Sequence, residues 1–186
     1  MRAYRYRIYP TQKQKHVLTQ QMVLAKTVYN FLLGEAKQHY KSTGRTFTRN
    51  MMNLRLTKLK KERPEFVGLH SQVLQNVADR VWKAYQNFFR RIKEKRKGKR
   101  IKVGFPRVKK FVVILTYPQS GFKLNGTRLS VSKVGFVPIV LHRPVEGKVK
   151  TLAIKFTKSH EWYAAFATEI EGASFVSNDN PVVGID

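Results

Sequence analysis

Apolar and polar residues alternate from Arg2 to Ile8, with Tyr4, Tyr6 and Ile8 on one side and Arg5 and Arg7 on the other. This is the period-two pattern of a half-buried strand, and Pro10 and Thr11 end it. The period then changes. From about Gln12 to Tyr40, Leu18, Met22, Ala25, Tyr29, Leu32 or Leu33, Ala36 and Tyr40 recur at three- and four-residue steps, a helical stripe closed by Gly44 or just before it. A second, short and very basic helix starts after Thr48 as N-cap, sets Met52, Leu56 and Leu59 on one side, and yields near Pro64. The third helix is the most regular. Leu74, Val77, Val81, Tyr85, Phe88 and Ile92 form its stripe, and the pattern predicts it from about Glu65 to Lys97, before Gly98. Its opposite face carries Gln72, Gln75, Asn76, Asp79, Lys83, Gln86 and Asn87, a surface rich in amides where a merely solvated face would carry mostly charge.

Beyond Gly98 the pattern returns to period two. Phe111 to Tyr117 reads as a strand. Phe122-Lys-Leu, Asn125-Gly126 and Thr127 to Val131 read as a hairpin whose Asn-Gly takes the positive φ of a type I′ turn. Gly135 to His142, Val149 to Thr157 and Trp162 to Ile170 supply further strands, and many short strands with turns between them predict a small barrel. The fold class is therefore α+β, a small antiparallel β-barrel interrupted by a helical segment, with the first strand joining the later ones. Residues Gly172 to Pro181, rich in Ser, Asn and Asp, read as a linker, and Val182 to Asp186 as the start of a new apolar strand.

Composition sharpens this picture. Of 186 residues, 42% are apolar, enough for a real core, while 37 Lys and Arg stand against 11 Asp and Glu, a net charge of +26. Such a chain repels itself unless a polyanion or salt compensates it, so nucleic acid is the expected partner. No apolar run approaches the roughly 20 residues of a membrane span, and the N-terminus lacks the apolar core of a signal peptide. The absence of cysteine excludes disulfides and zinc thiolates within these residues.

The chemistry-bearing residues point to binding. Arg90 to Lys110 holds twelve basic residues and one acid, Glu94, a density that binds phosphates with strong salt dependence; its alternative is a solvated linker. Gln and Asn on the third helix match adenine edges in the major groove, whereas Lys and Arg mostly hold phosphates or guanine; the alternative is an ordinary polar helix face. Tyr4, Tyr6, Tyr29, Phe31, Tyr85, Phe88 and Phe89 fall on apolar stripes and belong to the core. Tyr117, at a strand end beside Pro118, is the better candidate for stacking on a base. His16, His39, His70, His142 and His160 lack metal-ligand spacing, and Glu146, Glu161, Glu169 and Glu171 make no paired-carboxylate site.

Five stretches resemble the TnpB family of bacterial insertion sequences, in the family's order: Tyr6-Arg-Ile-Tyr-Pro10, Ala25-Lys-Thr-Val-Tyr-Asn30, Leu74-Gln75-Asn76 through Phe88-Phe89-Arg90, Val103-Gly-Phe-Pro-Arg107 and Val182-Val-Gly-Ile-Asp186. TnpB proteins are similar to type V CRISPR effectors. The resemblance implies a wedge barrel (first strand in 1–10, remainder in 101–172) interrupted by a helical recognition domain (11–100), then a linker (173–181) and the first strand of a RuvC-like nuclease domain (182–186). It implies a transposon-derived guide RNA and double-stranded DNA with a short adjacent motif as partners, no membrane, and a cytoplasmic, nucleoid-associated bacterial protein. Asp186 resembles the first of three metal-binding catalytic carboxylates. Mg is expected in a full-length nuclease and Zn in its C-terminal part, so the 186 residues alone are expected to be catalytically inert.

By position, the resemblance assigns DNA-motif contacts to Arg49, Asn53, Ser71, Gln72, Gln75, Thr116 and Tyr117; Gln75 is also reached through the amide face, and Arg49 departs from the aromatic residue the family pattern carries. The grip on guide RNA is expected at Arg5, Arg7, Arg90, Arg91, Lys109 and Lys110. Three other functions compete: a nuclease-dead RNA-guided repressor of the same family, a plain DNA-binding domain built on the second and third helices, and a structural RNA binder.

Overall fold

The computed structural model describes residues 1–170. The expected linker at 173–181, the strand at 182–186 and Asp186 lie outside them. One strand, β1 (Arg2–Ile8), leads into three helices, α1 (Gln12–Thr43), α2 (Arg49–Glu62) and α3 (Ser71–Arg96). Six strands follow: β2 (Ile114–Pro118), β3 (Phe122–Asn125), β4 (Arg128–Val131), β5 (Gly135–Val140), β6 (Lys148–Phe156) and β7 (Trp162–Glu169).

All strand pairs are antiparallel, in the order β2-β6-β7-β1-β5-β4-β3. β1 therefore joins β7 to β5, as its pattern predicted. β2 and β3 stand at opposite ends of this order, yet only residues 119–121 separate them. Three residues span little distance even when extended, so the sheet must curl until its edges nearly meet, giving a nearly closed seven-strand barrel. A bulge in β6 between Val149 and Thr151 helps the closure: it bends the strand, and the Lys150 carbonyl accepts a 2.8 Å bond from the Gln119 N–H. Side chains facing inward alternate along each strand, Tyr4, Tyr6 and Ile8 on β1 and Trp162, Ala164 and Phe166 on β7. Large residues meet small ones across the register, Tyr6 opposite Ala164.

The helices obey their local signals. Thr11 and Gln14 form a capping box at the start of α1, and the Gly44 N–H closes the helix on the Tyr40 carbonyl. Thr48 caps α2 through the Met51 N–H. Arg55 ties α2 to α1 by resting 4.9 Å over the Phe31 ring and reaching Glu35 at 2.9 Å. Helices and barrel share one buried apolar cluster, running from Leu18, Val28 and Val81 to Tyr6, Leu152 and Phe166. No helix among the described residues is long and apolar enough to cross a membrane.

The structure corrects the sequence at four points. α3 begins at Ser71 and not at Glu65, because Pro64–Gly68 winds as a 3₁₀ turn and His70 turns extended as N-cap. β2 begins at Ile114, three residues after Phe111, which is 72% exposed. Tyr40, at the end of the α1 stripe, is exposed, with its ring centre 5.3 Å from that of Phe89. In the β3–β4 hairpin Asn125 pairs with Arg128, so the loop is Gly126-Thr127 and the positive φ of +52° falls on Gly126 alone. That is the first central position, where a II′ turn takes its glycine, rather than the type I′ turn expected for Asn-Gly.

Candidate nucleic-acid interface

α2 and α3 are joined by residues 63–70, which include the 3₁₀ turn, and run in opposite directions along a shared seam. Arg49, in the first turn of α2, forks onto Asp79 of α3, with Nε 2.5 Å from Oδ1 and Nη2 2.8 Å from Oδ2. At the other end of α2 the Lys60 ammonium donates to Ser71 Oγ at 3.0 Å. Between these clamps lies a cleft of about 290 Å³, with buried Leu56 and Leu74 below and Asn53, Thr57, Lys60, Ser71 and Gln75 around it. The four-residue steps 49–53 and 71–75–79 bring these side chains onto facing sides of the two helices. Asn53 Oδ1 is buried there without a hydrogen-bond donor; among the described residues only Thr168 Oγ1 shares that condition. An unpaired buried carbonyl costs about 1–3 kcal/mol, so the cleft holds an acceptor short of its partner. Gln75 is exposed at its rim.

Four of the seven residues expected to contact a DNA motif thus line one seam: Arg49, Asn53, Ser71 and Gln75. Gln72 is half-buried in the first turn of α3, where its N–H donates to His70 Nδ1 at 3.3 Å. Thr116 lies on β2 and accepts from Arg80 at 2.8 Å. Tyr117 corrects the expectation. It is fully buried, its ring centre 6.1 Å from that of His70 in a tilted pair, and its hydroxyl donates to Gln21 Oε1 at 3.3 Å, so no face is free for a base. Burial pushes its phenol well above the ordinary tyrosine range. Alternation explains this: Leu115 and Tyr117 share the inner face of β2, and Pro118, the half-buried last residue of the strand, leaves Tyr117 inside it.

His70 joins the seam to the barrel. It caps α3 through Nδ1, and a Cβ on Gly121, at the β2–β3 link, would come within 2.8 Å of its ring, so only glycine fits there. Burial lowers the imidazole pKa, and Lys60 and Lys133 lower it further. The unfolded chain therefore takes up this proton first, near pH 6.5. The stabilisation is complete above that pH and is lost as pH falls through the lowered folded value, where protonated Nδ1 no longer accepts from Gln72. Melting temperature measured from pH 8 to pH 5 is expected to fall across this window. His70→Asn keeps a capping acceptor without a titrating group and is expected to flatten that limb.

The residues expected to hold RNA stand on three elements. Arg5 and Arg7 share the outer face of β1. Arg5 is exposed and lies 5.1 Å over Tyr163, whereas Arg7 is half-buried and pairs with Glu161, whose carboxyl it holds below the usual range. Arg90 and Arg91 are exposed near the end of α3. Lys109 and Lys110 are exposed on the segment before β2, and that segment is fastened. Asn30 of α1 pinches Lys109 by both backbone groups, at 2.9 and 2.7 Å, and Phe105 packs edge-on against Tyr85 and Phe88 at 5.4 and 5.3 Å. The basic run is therefore anchored where a solvated linker was the alternative.

Sequence reasoning missed Lys60 and Arg80. Lys60 carries no signal beyond its place on a basic helix. Arg80 sits beside the apolar positions Val77 and Val81, where a cation flanking a buried stripe could have been noticed. Among the described residues no group of three or more His, Cys, Asp or Glu side chains could hold a metal ion.

None of the curated proteins matches the chain. Residues 1–45, which here form β1 and α1, match the model of a helix-turn-helix domain of the IS605 OrfB family; the turn that follows α1 begins at Gly44, and α2 lies beyond the match. A helix-turn-helix domain implies contact with DNA. Over residues 1–45 the chain is thus similar to the N-terminal domain of the IS605 OrfB (TnpB) transposase family proteins.

Proposed function

We propose that this chain is the DNA-motif-reading and guide-RNA-holding region of an RNA-guided DNA endonuclease of the TnpB kind. The observation that carries the reading is the α2–α3 seam, where Asn53 and Gln75 share a cleft and the Asn53 carbonyl lacks a donor. The exocyclic amine of an adenine or cytosine supplies such a donor, and a glutamine amide can bond an adenine edge with two hydrogen bonds. Arg49 has the fork geometry for guanine, and it reaches a base by exchanging Asp79 for it. Arg5, Arg7, Arg90, Arg91, Lys109 and Lys110 grip the RNA backbone, guide pairing supplies the target sequence, and the protein reads only the short motif. Asp186 would belong to the nuclease centre, with Mg bound only together with further carboxylates.

The helix-turn-helix description of residues 1–45 favours a second reading, a plain DNA-binding domain. Deleting the barrel does not separate the two, because helices and strands share one apolar cluster and a deletion would open it. RNA does separate them. The protein co-expressed with its transposon end and purified in moderate salt is expected to carry a single RNA species from that end, and its 260/280 nm absorbance ratio is expected to report nucleic acid. Protein free of RNA that still selects a DNA sequence from a random duplex pool would leave the plain DNA-binding domain in possession.

A further inference from the structure

Three arginines among the described residues are half-buried: Arg7, Arg55 and Arg80. Arg7 meets Glu161, and Arg55 meets both Glu35 and Glu62 at 2.9 Å. Arg80 meets no carboxylate among the described residues; its side chain makes one hydrogen bond, from Nη2 to Thr116 Oγ1 at 2.8 Å. A guanidinium has five N–H donors and stays charged in proteins, so most of its donors remain open. Burying an ion without a counter-charge is costly, and the other two half-buried arginines avoid that cost.

What Arg80 faces is a cavity of about 330 Å³ between α1, α3 and the segment before β2. Tyr29, Lys83, Asn87, Lys109 and Val112 stand around it with Arg80, and among the described residues no acid does. Lys109 is held in place twice, by the Asn30 pinch on its backbone and by its ammonium 5.5 Å from the Tyr29 ring centre. Three cations thus converge on a partly apolar cavity, where attraction for an anion exceeds that at an open surface.

We propose that this cavity is a phosphate site, in which the Arg80 guanidinium, aided by Lys83 and Lys109, takes one backbone phosphate of a nucleic-acid strand. The planar fork matches two phosphate oxygens, and the two lysines add charge without dictating orientation. The site is distinct from the α2–α3 seam: it fixes the strand's position and carries no sequence information. That the phosphate comes from a strand rests on the nucleic-acid reading above; that the cavity takes phosphate does not.

The test uses the full 186-residue chain with its arginines labelled with ¹⁵N, the Arg80 signal being assigned by its absence in Arg80→Met. Titration with inorganic phosphate is expected to shift that signal to saturation, while sodium chloride at equal ionic strength leaves it unmoved. A fluorescein-labelled random-sequence 20-mer duplex or single strand is expected to shift it as well. Arg80→Met is expected to keep or raise the melting temperature, since it removes an uncompensated half-buried charge. It should weaken oligonucleotide binding about tenfold whatever the sequence, and lower the slope of log affinity against log salt by about one. An Arg80 signal indifferent to phosphate, or an Arg80→Met protein with wild-type affinity and slope, overturns the proposal. So does a loss of folding in Arg80→Met together with phosphate indifference, which would make Arg80 a brace for Thr116. Saturation by inorganic phosphate in a protein that binds no oligonucleotide overturns the strand as ligand and the nucleic-acid function with it. An intact phosphate site beside a protein that selects no DNA motif overturns the motif reading alone.

Discussion

Tyr117→Ala is expected to cost about 3–5 kcal/mol of stability, the range for deleting a large aromatic side chain from a core, and to lower the melting temperature by roughly 6–20 °C at this chain length. The ring is fully buried, and it lies at the junction of three parts of the molecule. It belongs to β2, its ring packs tilted against that of the His70 cap of α3, and its hydroxyl reaches Gln21 on α1. Gln21 is itself buried and passes the connection on, its Nε2 donating to the Gly68 carbonyl at 3.2 Å. Tyr117→Phe keeps the ring and removes one donor, leaving Gln21 Oε1 unpaired, and is expected to cost about 1–3 kcal/mol. Thermal unfolding followed by circular dichroism measures both. Neither variant is expected to change the DNA motif selected from a random pool, and a Tyr117→Phe protein with wild-type melting and an altered motif would return Tyr117 to the interface.

The second large effect is on recognition and leaves stability nearly untouched. Gln75→Ala is expected to reduce discrimination at one base pair of the motif by about 1–3 kcal/mol, from around tenfold to beyond a hundredfold. Gln75 is exposed, so its truncation is expected to change stability by no more than about 0.5 kcal/mol. Gln86 supplies the control. It is an exposed amide on the same helix, more than two turns beyond the cleft, and Gln86→Ala is expected to leave the motif unchanged. Selection from a randomised duplex pool, followed by competition between the best and second-best sequences, reads the difference. Equal motif preference in Gln75→Ala and wild type would remove the α2–α3 seam as the reading surface, while a phosphate grip at Arg80 would survive that result.

The seam also gives the net charge a more specific meaning. With 37 cations and 11 acids, most basic residues have no acid to meet, yet the acids that exist are spent at particular places. Glu161 restrains Arg7, Asp79 restrains Arg49, and Glu35 with Glu62 restrains Arg55. Pairs that keep part of their contact with water add little stability. They do hold long side chains in one arrangement, and at Arg49 this fixes the guanidinium at the end of the cleft that Asn53 and Gln75 share.

Much of the fold was legible in short stretches of sequence, because the information there is local. Thr11, Gly44 and Thr48 act within one helical turn, and Tyr4, Tyr6 and Ile8 declare a buried face by period alone. The three helical stripes and the return of β1 to the later strands followed from the same periodicities. Boundaries failed where two local signals competed. Pro64 and Gly68 permit a 3₁₀ turn as readily as a helix start, and a hairpin's register across Asn125-Gly126-Thr127 is set by pairing on both strands, which no single strand announces.

The sequence by itself determined the composition of this protein's surfaces: a polyanion-seeking charge, an amide-rich face on α3, a basic run before the barrel, and strands whose alternation makes a barrel. Which of those residues meet was decided only by the tertiary structure. A stripe tells which face of a helix is buried, yet carries nothing about the neighbour that buries it. Only the antiparallel packing of α2 on α3 could bring Asn53 to Gln75 and Arg49 to Asp79. Only closure of the sheet could draw Tyr117 inward against His70 and Gln21. Arg80 shows the same limit most plainly, since its want of a counter-ion among the described residues is a property of everything around it, and its surroundings join residues as far apart in sequence as Tyr29 and Lys109.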